Sequence, residues 1–245
     1  MAQIFAFLSG KGGAGKSTSA VMIARELQSS GAKVLLVDCD AGLRSLEIFS
    51  GVSQDVFYHW GDVLSGGCKT IDAIRRCPAG MDLMAAPNAL GEEATPEHFT
   101  EMIHGLENSY DYILIDGPAG LGRGFRIAAS AADKLLMISA PDDVSLYACA
   151  AARKAAKALG KKQTRLIINH FRYKAVKNSL QKNIDDSIDK SGVRLIGIVP
   201  EDKNLWYFGS QGMLPKSRSI GIEAFARIAG RLRGESVPLN LRDLQ

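Results

Sequence analysis

Ser9-Gly10-Lys11-Gly12-Gly13-Ala14-Gly15-Lys16-Ser17-Thr18 is the stretch on which the reading of this 245-residue chain turns. It contains the spacing Gly10-x-x-x-x-Gly15-Lys16-Ser17. An apolar, strand-like run (4–9) precedes it and a helical pattern (16–29) follows it, which is the context a phosphate loop requires. Glycines let the backbone curl so that successive N–H groups of Gly10, Lys11, Gly12, Gly13, Ala14 and Gly15 face an anion. The start of the following helix adds partial positive charge. Lys16 is expected to reach the β- and γ-phosphates of ATP, Ser17 to ligate Mg²⁺, and Thr18 to donate to the α-phosphate.

Outward from this loop, short apolar runs alternate with longer helical patterns. Strands are expected at 4–9, 33–38, 81–85, 112–116, 134–140, 165–169 and 194–199, and helices at 16–29, 96–108, 145–159 and 179–190. Several strands read as near-continuous apolar runs, as strands covered on both faces do. Alternation repeated this often predicts a three-layer, doubly wound α/β fold with a mostly parallel sheet, and the phosphate loop at the end of its first strand makes that the P-loop NTPase fold. No linker, repeat or low-complexity tract divides the chain, so residues 1–245 are expected to form one domain with a polar tail from about residue 234. In such sheets ligands sit outside the carboxyl ends of the strands. Two acidic segments fall there: Val37-Asp38-Cys39-Asp40, and Ile115-Asp116-Gly117-Pro118-Ala119-Gly120.

Composition sets limits. The balance of 46% hydrophobic and 23% charged residues is that of a soluble globular protein. Four scattered cysteines form no C-x-x-C pair and no zinc-ligand spacing, so reduced thiols and a cytoplasmic setting are expected. The first apolar run is too short for a secretory signal, and no run reaches the 18 or so apolar residues of a membrane-spanning helix. Net charge is only +4, yet ten Lys or Arg and no acidic residue lie between Val144 and Ile184. Such a run is either a solvated face or a surface that meets nucleic acid or anionic lipid.

Lys11, ahead of Lys16, is a cation that a generic phosphate loop does not need. Here the chain resembles the MinD/ParA family of deviant Walker A ATPases, which also holds the nitrogenase iron protein. The resemblance runs over nearly the whole chain and is closest to the MinD branch, through Asp38-Cys39-Asp40-Ala41-Gly42-Leu43-Arg44-Ser45-Leu46-Glu47, Asp116-Gly117-Pro118-Ala119-Gly120 and Gly197-Ile198-Val199-Pro200-Glu201-Asp202. It implies an Mg²⁺-dependent ATP hydrolase that works as an ATP-driven homodimer in positioning cell division, with division-regulator proteins as partners. It further implies that Lys11 crosses the dimer interface to the other subunit's phosphates. Asp40 would orient or activate the attacking water, Ser17, Asp38 and Asp116 would hold Mg²⁺ and its hydration shell, and Asn169, Pro200 and Asp202 would hold the adenine.

An iron–sulfur role is disfavoured, because no cysteine lies near the loop after Asp116. MinD proteins end in a short amphipathic helix rich in Lys, Leu and Phe that lies on anionic membranes. Residues 234–245 here contain Pro238, one Arg and no aromatic residue, too little to hold a membrane alone. The anchor helix is therefore expected to be missing, and peripheral association with the inner face of the cell membrane is left open. The alternative is a ParA-like partition ATPase that binds DNA without sequence preference through residues 144–184.

Overall fold

The structure, a computed structural model, describes residues 1–52, 58–205, 207 and 218–239; the final stretch of the expected polar tail, 240–245, lies outside the described residues. Among the described residues, eight strands form one sheet: β1 (Gln3–Ser9), β2 (Val34–Asp38), β3 (Ile74–Arg76), β4 (Asp82–Met84), β5 (Tyr112–Ala119), β6 (Lys134–Ser139), β7 (Thr164–Phe171) and β8 (Leu195–Pro200), in the order β3-β4-β2-β5-β1-β6-β7-β8. All pairings are parallel except that of β3 with β4 at one edge. The helices are α1 (Lys16–Ser29), α2 (Ser45–Ser50), α3 (Trp60–Leu64), α4 (Pro96–His104), α5 (Arg123–Ala131), α6 (Asp143–Ala158), α7 (Tyr173–Lys177), α8 (Ile184–Ser191) and α9 (Ile220–Leu232).

Three layers follow from the side-chain alternation of the strands. On β1, Ile4, Ala6 and Leu8 enter one core with Phe99 of α4, Phe125 of α5 and Ala152 of α6. Phe5 and Phe7 enter the other, with Val21 and Leu27 of α1 and Phe225 and Ile228 of α9. A period of two buried on both sides reads as an unbroken apolar run.

The expected boundaries shift where local chemistry sets them. The helix expected over 179–190 begins only at Ile184, because the Asn183 side chain caps it by accepting the Asp186 N–H at 2.8 Å. Likewise Asp142 caps α6 through the Ser145 N–H, so α6 opens two residues before the expected 145. The short edge strand β3 and the short helices α2, α3 and α7 carry too few residues to show a period.

Candidate functional site

β1 sits between β5 and β6, and the chain leaves β1 toward β2 on one side while β6 leads to β7 on the other. The strand order thus switches direction at β1, and the loop that follows β1 opens at the switch point, where open α/β sheets hold ligands. Gly15 takes φ 92° at the start of α1, a left-handed conformation that glycine adopts without strain. The loop is braced from within: Ser9 Oγ donates to the Lys11 carbonyl and Ser19 Oγ to the Gly15 carbonyl, each at 2.7 Å. Asn169, at the end of β7, donates its amide to the Ala14 carbonyl at 2.8 Å.

Gly10 is required for a different reason. A Cβ there would lie 2.2 Å from the Ala148 carbonyl oxygen on α6, so backbone, and not a flexible side chain, would have to move. Gly10→Ala is expected to part the loop from α6 at a cost of about 1–3 kcal/mol, as for other overpacked sites, and to weaken nucleotide binding in step. Denaturant unfolding and a fluorescent-nucleotide titration check both effects.

The loop opens on a cleft of about 610 Å³, within the range of small-molecule sites. Gly12, Gly13, Gly15, Lys16, Ser17, Thr18, Asp40, Asn169, Pro200 and Asp202 all line it, so residues from four separated segments converge as the sequence reading requires. The Lys16 side chain is buried at its floor, with the residue 7% exposed. The remaining expected residues lie around it. Ala14 is buried behind the loop, Gly10 packs on α6, and Lys11 is exposed, its ammonium donating to Ser145 Oγ at a long 3.4 Å.

Beneath the loop lie the acidic residues. Asp38 and Asp116 face each other as register partners across β2 and β5, both fully buried. Asp38 accepts the N–H of Asp40 at 2.8 Å and of Leu46 at 3.3 Å, yet burial still pushes its carboxyl up to about 7. Among the described residues, neither carboxylate oxygen of Asp116 has a hydrogen-bond partner. Burial first, and the nearby Asp38 second, raise its carboxyl well above the usual range, against the opposing pull of Ser17 and Lys16. Burial also raises Asp40, which Lys16 partly offsets. Trp60, from α3, fixes this corner by donating its indole N–H to the Asp38 carbonyl at 2.7 Å and packing edge-on against Phe99.

A buried, unpartnered carboxylate beside a second acid and a hydroxyl is a donor set in need of a cation. Hard oxygen ligands of this kind suit Mg²⁺ together with its waters. The residues present therefore fit the ion.

At the other end of the cleft Asp202 behaves less simply than expected. Both its oxygens already accept backbone N–H groups, of Asn204 and Gly221, each at 2.8 Å, so it ties the loop after β8 to the start of α9. The cleft also contains residues to which the sequence reading assigned no site role, among them Leu43, Ser45, Phe49, His170 and Glu201. Ser45 donates to Ser17 Oγ at 3.4 Å, and His170 holds a left-handed φ of 57° at an irregularity in the β7–β8 register. Leu43 and Ser45 lie in the stretch after Asp38 that carries the resemblance, Glu201 lies between Pro200 and Asp202, and His170 stands next to Asn169; those neighbours are the signals that pointed there.

A family model described as an AAA domain matches residues 2–168. The septum site-determining protein MinD of Bacillus subtilis is 32% identical, over 100% of this chain and 94% of that relative. Among solved structures, one from the MinC:MinD cell division protein complex of Aquifex aeolicus superimposes with a TM-score of 0.89 at 32% identity, covering 98% of this chain and 99% of that one. MinD of Pyrococcus horikoshii, solved with Mg-ADP, gives 0.83 at 28% identity, over 95% and 96% of the two chains. With its phosphate loop, its second lysine and its buried acidic pair, the chain belongs to the MinD family of P-loop ATPases.

Proposed function

We propose that this ATPase is a dimerisation switch that positions the division septum, as its septum site-determining relatives are named for doing. One observation carries the reading. The chain holds two loop lysines in opposite situations, Lys16 buried against the cleft and Lys11 exposed with only a weak hydroxyl contact. The first serves the nucleotide of its own chain, and the second is free to serve that of another copy.

Within one copy the loop N–H groups and Lys16 bind the phosphates, and Thr18 orients the α-phosphate. Ser17, Asp38 and Asp116 would hold Mg²⁺, which when bound neutralises charge on the β- and γ-oxygens. Asp40, at the rim, positions the water. Asn169 and Pro200 form the adenine wall, with Asp202 holding that wall in place. A regulator of the kind named in the MinC:MinD complex would read the ATP-bound dimer. Among the described residues no helix is long and apolar enough to cross a membrane.

Asp40→Ala tests the switch. It is expected to lower phosphate release by about 10²–10⁴-fold, as loss of a positioned acid–base group does, while ATP binding persists. Light scattering should then show a dimer with ATP and a monomer with ADP. A monomer with ATP would sink the proposal, and ATP-dependent, salt-sensitive retention on DNA would replace it with the partition reading.

A further inference from the structure

The ten cations between Val144 and Ile184 are sorted by the fold into two groups. Toward the nucleotide end, Arg172 pairs with Glu201 at 3.4 Å, Lys182 with Asp143 at 3.2 Å, and Lys177 lies over the Tyr173 ring at 4.8 Å. Five of the other seven gather elsewhere. Arg153 and Lys157 on α6, Lys161 and Lys162 after it, and Arg165 at the start of β7 meet Arg194 from just before β8 around a separate cavity of about 310 Å³. This cavity lies at the amino ends of β7 and β8, the opposite end of the sheet from the ATP cleft.

Lys161 is already committed, donating to the Ser130 and Ala132 carbonyls at 2.7 Å each. Among the described residues the other five form no ion pair with a carboxylate, and no acidic residue lines the cavity. The carboxyl ends of α6 and α8 reach this region, and each favours a nearby cation. Two helix ends do not account for five guanidinium and ammonium groups held together, whose mutual repulsion nothing in the cavity offsets. An anion would offset it, and Arg forks are suited to phosphate oxygens.

From this convergence we propose that the cavity is a second anion site, for a compact ligand carrying two or more adjacent phosphate groups. Shape favours a compact ligand over a phosphodiester chain. A nucleic-acid backbone is tracked by a groove or stripe of cations, whereas these come from three chain segments onto one concavity. The volume is that of a small-molecule site.

The probe is inorganic tripolyphosphate, titrated calorimetrically at about 0.1 M salt, where surface charge is already screened beyond roughly 10 Å. Lys16→Ala removes the phosphate loop as a competing site. Binding is expected to persist in Lys16→Ala, to exceed that of orthophosphate, and to weaken roughly tenfold or more when either Arg165→Ala/Arg194→Ala or Lys157→Ala/Lys162→Ala is added. All four side chains are exposed, and the second pair lies outside the sheet, so it keeps the test open if the first, on and beside β7 and β8, disturbs folding. With the loop lysine intact, both pairs should retain the parent rate of ATP hydrolysis. Absence of binding in Lys16→Ala, or unchanged binding in both pairs, overturns the proposal. So does binding of duplex DNA or anionic vesicles through these residues that tripolyphosphate does not displace.

Discussion

Lys11→Ala is expected to bind Mg·ATP nearly as tightly as the parent chain and to lose both ATP-dependent dimerisation and turnover. Binding survives because the residues that line the cleft do not include Lys11, whose side chain, among the described residues, makes only the 3.4 Å contact with Ser145. Lys16, buried at the floor, remains. Turnover falls because a cation delivered to the γ-phosphoryl group from outside the chain stabilises charge that develops only in the transition state. Groups that act in this way contribute about 10³–10⁵-fold to phosphoryl transfer, so the loss should be of that order. Phosphate release, nucleotide titration and light scattering on the same preparation separate the three effects. Normal turnover with normal dimerisation would remove Lys11 from the mechanism. Weakened binding in the monomer would instead return it to the phosphate loop of its own chain.

How much of this site could be read from the residues depends on what kind of constraint each obeys. The loop from Gly10 to Thr18 was legible because backbone geometry and phosphate chemistry dictate residue type at fixed spacing, and Asp38 and Asp116 because both stand at strand ends. That the two acids are register partners was not legible, since strand order and register are settled by packing between distant segments. The same limit hid Leu43, Ser45 and His170, whose place in the cleft depends on α2 and the loop after β7 folding back over the phosphate loop. For Asp202 the position was legible but the side chain's bonds were not. A carboxylate after a strand caps a backbone as readily as it meets a ligand, and here it caps one. The basic run shows the converse. Its charge was plain in the sequence, yet only the fold separates paired from unpaired cations.

Asp116→Asn is expected to make the nucleotide-free protein more stable and to abolish its stabilisation by Mg·ATP. In the wild-type chain a carboxylate lies fully buried with neither oxygen hydrogen-bonded, opposite a second acid. An unsatisfied buried polar group costs about 1–3 kcal/mol, and more if charged. An amide removes the charge and supplies donors that the neighbouring Asp38 carboxylate can accept. For a chain of this length a gain of 1–2 kcal/mol corresponds to a rise of about 2–8 °C in the unfolding midpoint. The pH dependence has a definite sign. Because burial raises the folded carboxyl's pKa, the folded state keeps its proton longer than the unfolded state, whose value is about 3.9. The contribution of Asp116 to wild-type stability without nucleotide therefore falls as pH rises above about 4, and the variant should lack that component of the pH dependence. A cation reverses the balance by favouring the ionised pair. Wild-type protein should accordingly gain several degrees from Mg·ATP over ATP with chelator, and Asp116→Asn should not. Thermal unfolding across pH, with and without Mg²⁺, measures all of this. A variant less stable than wild type in the absence of nucleotide would show that Asp116 is held by its own fold and does not wait for a metal.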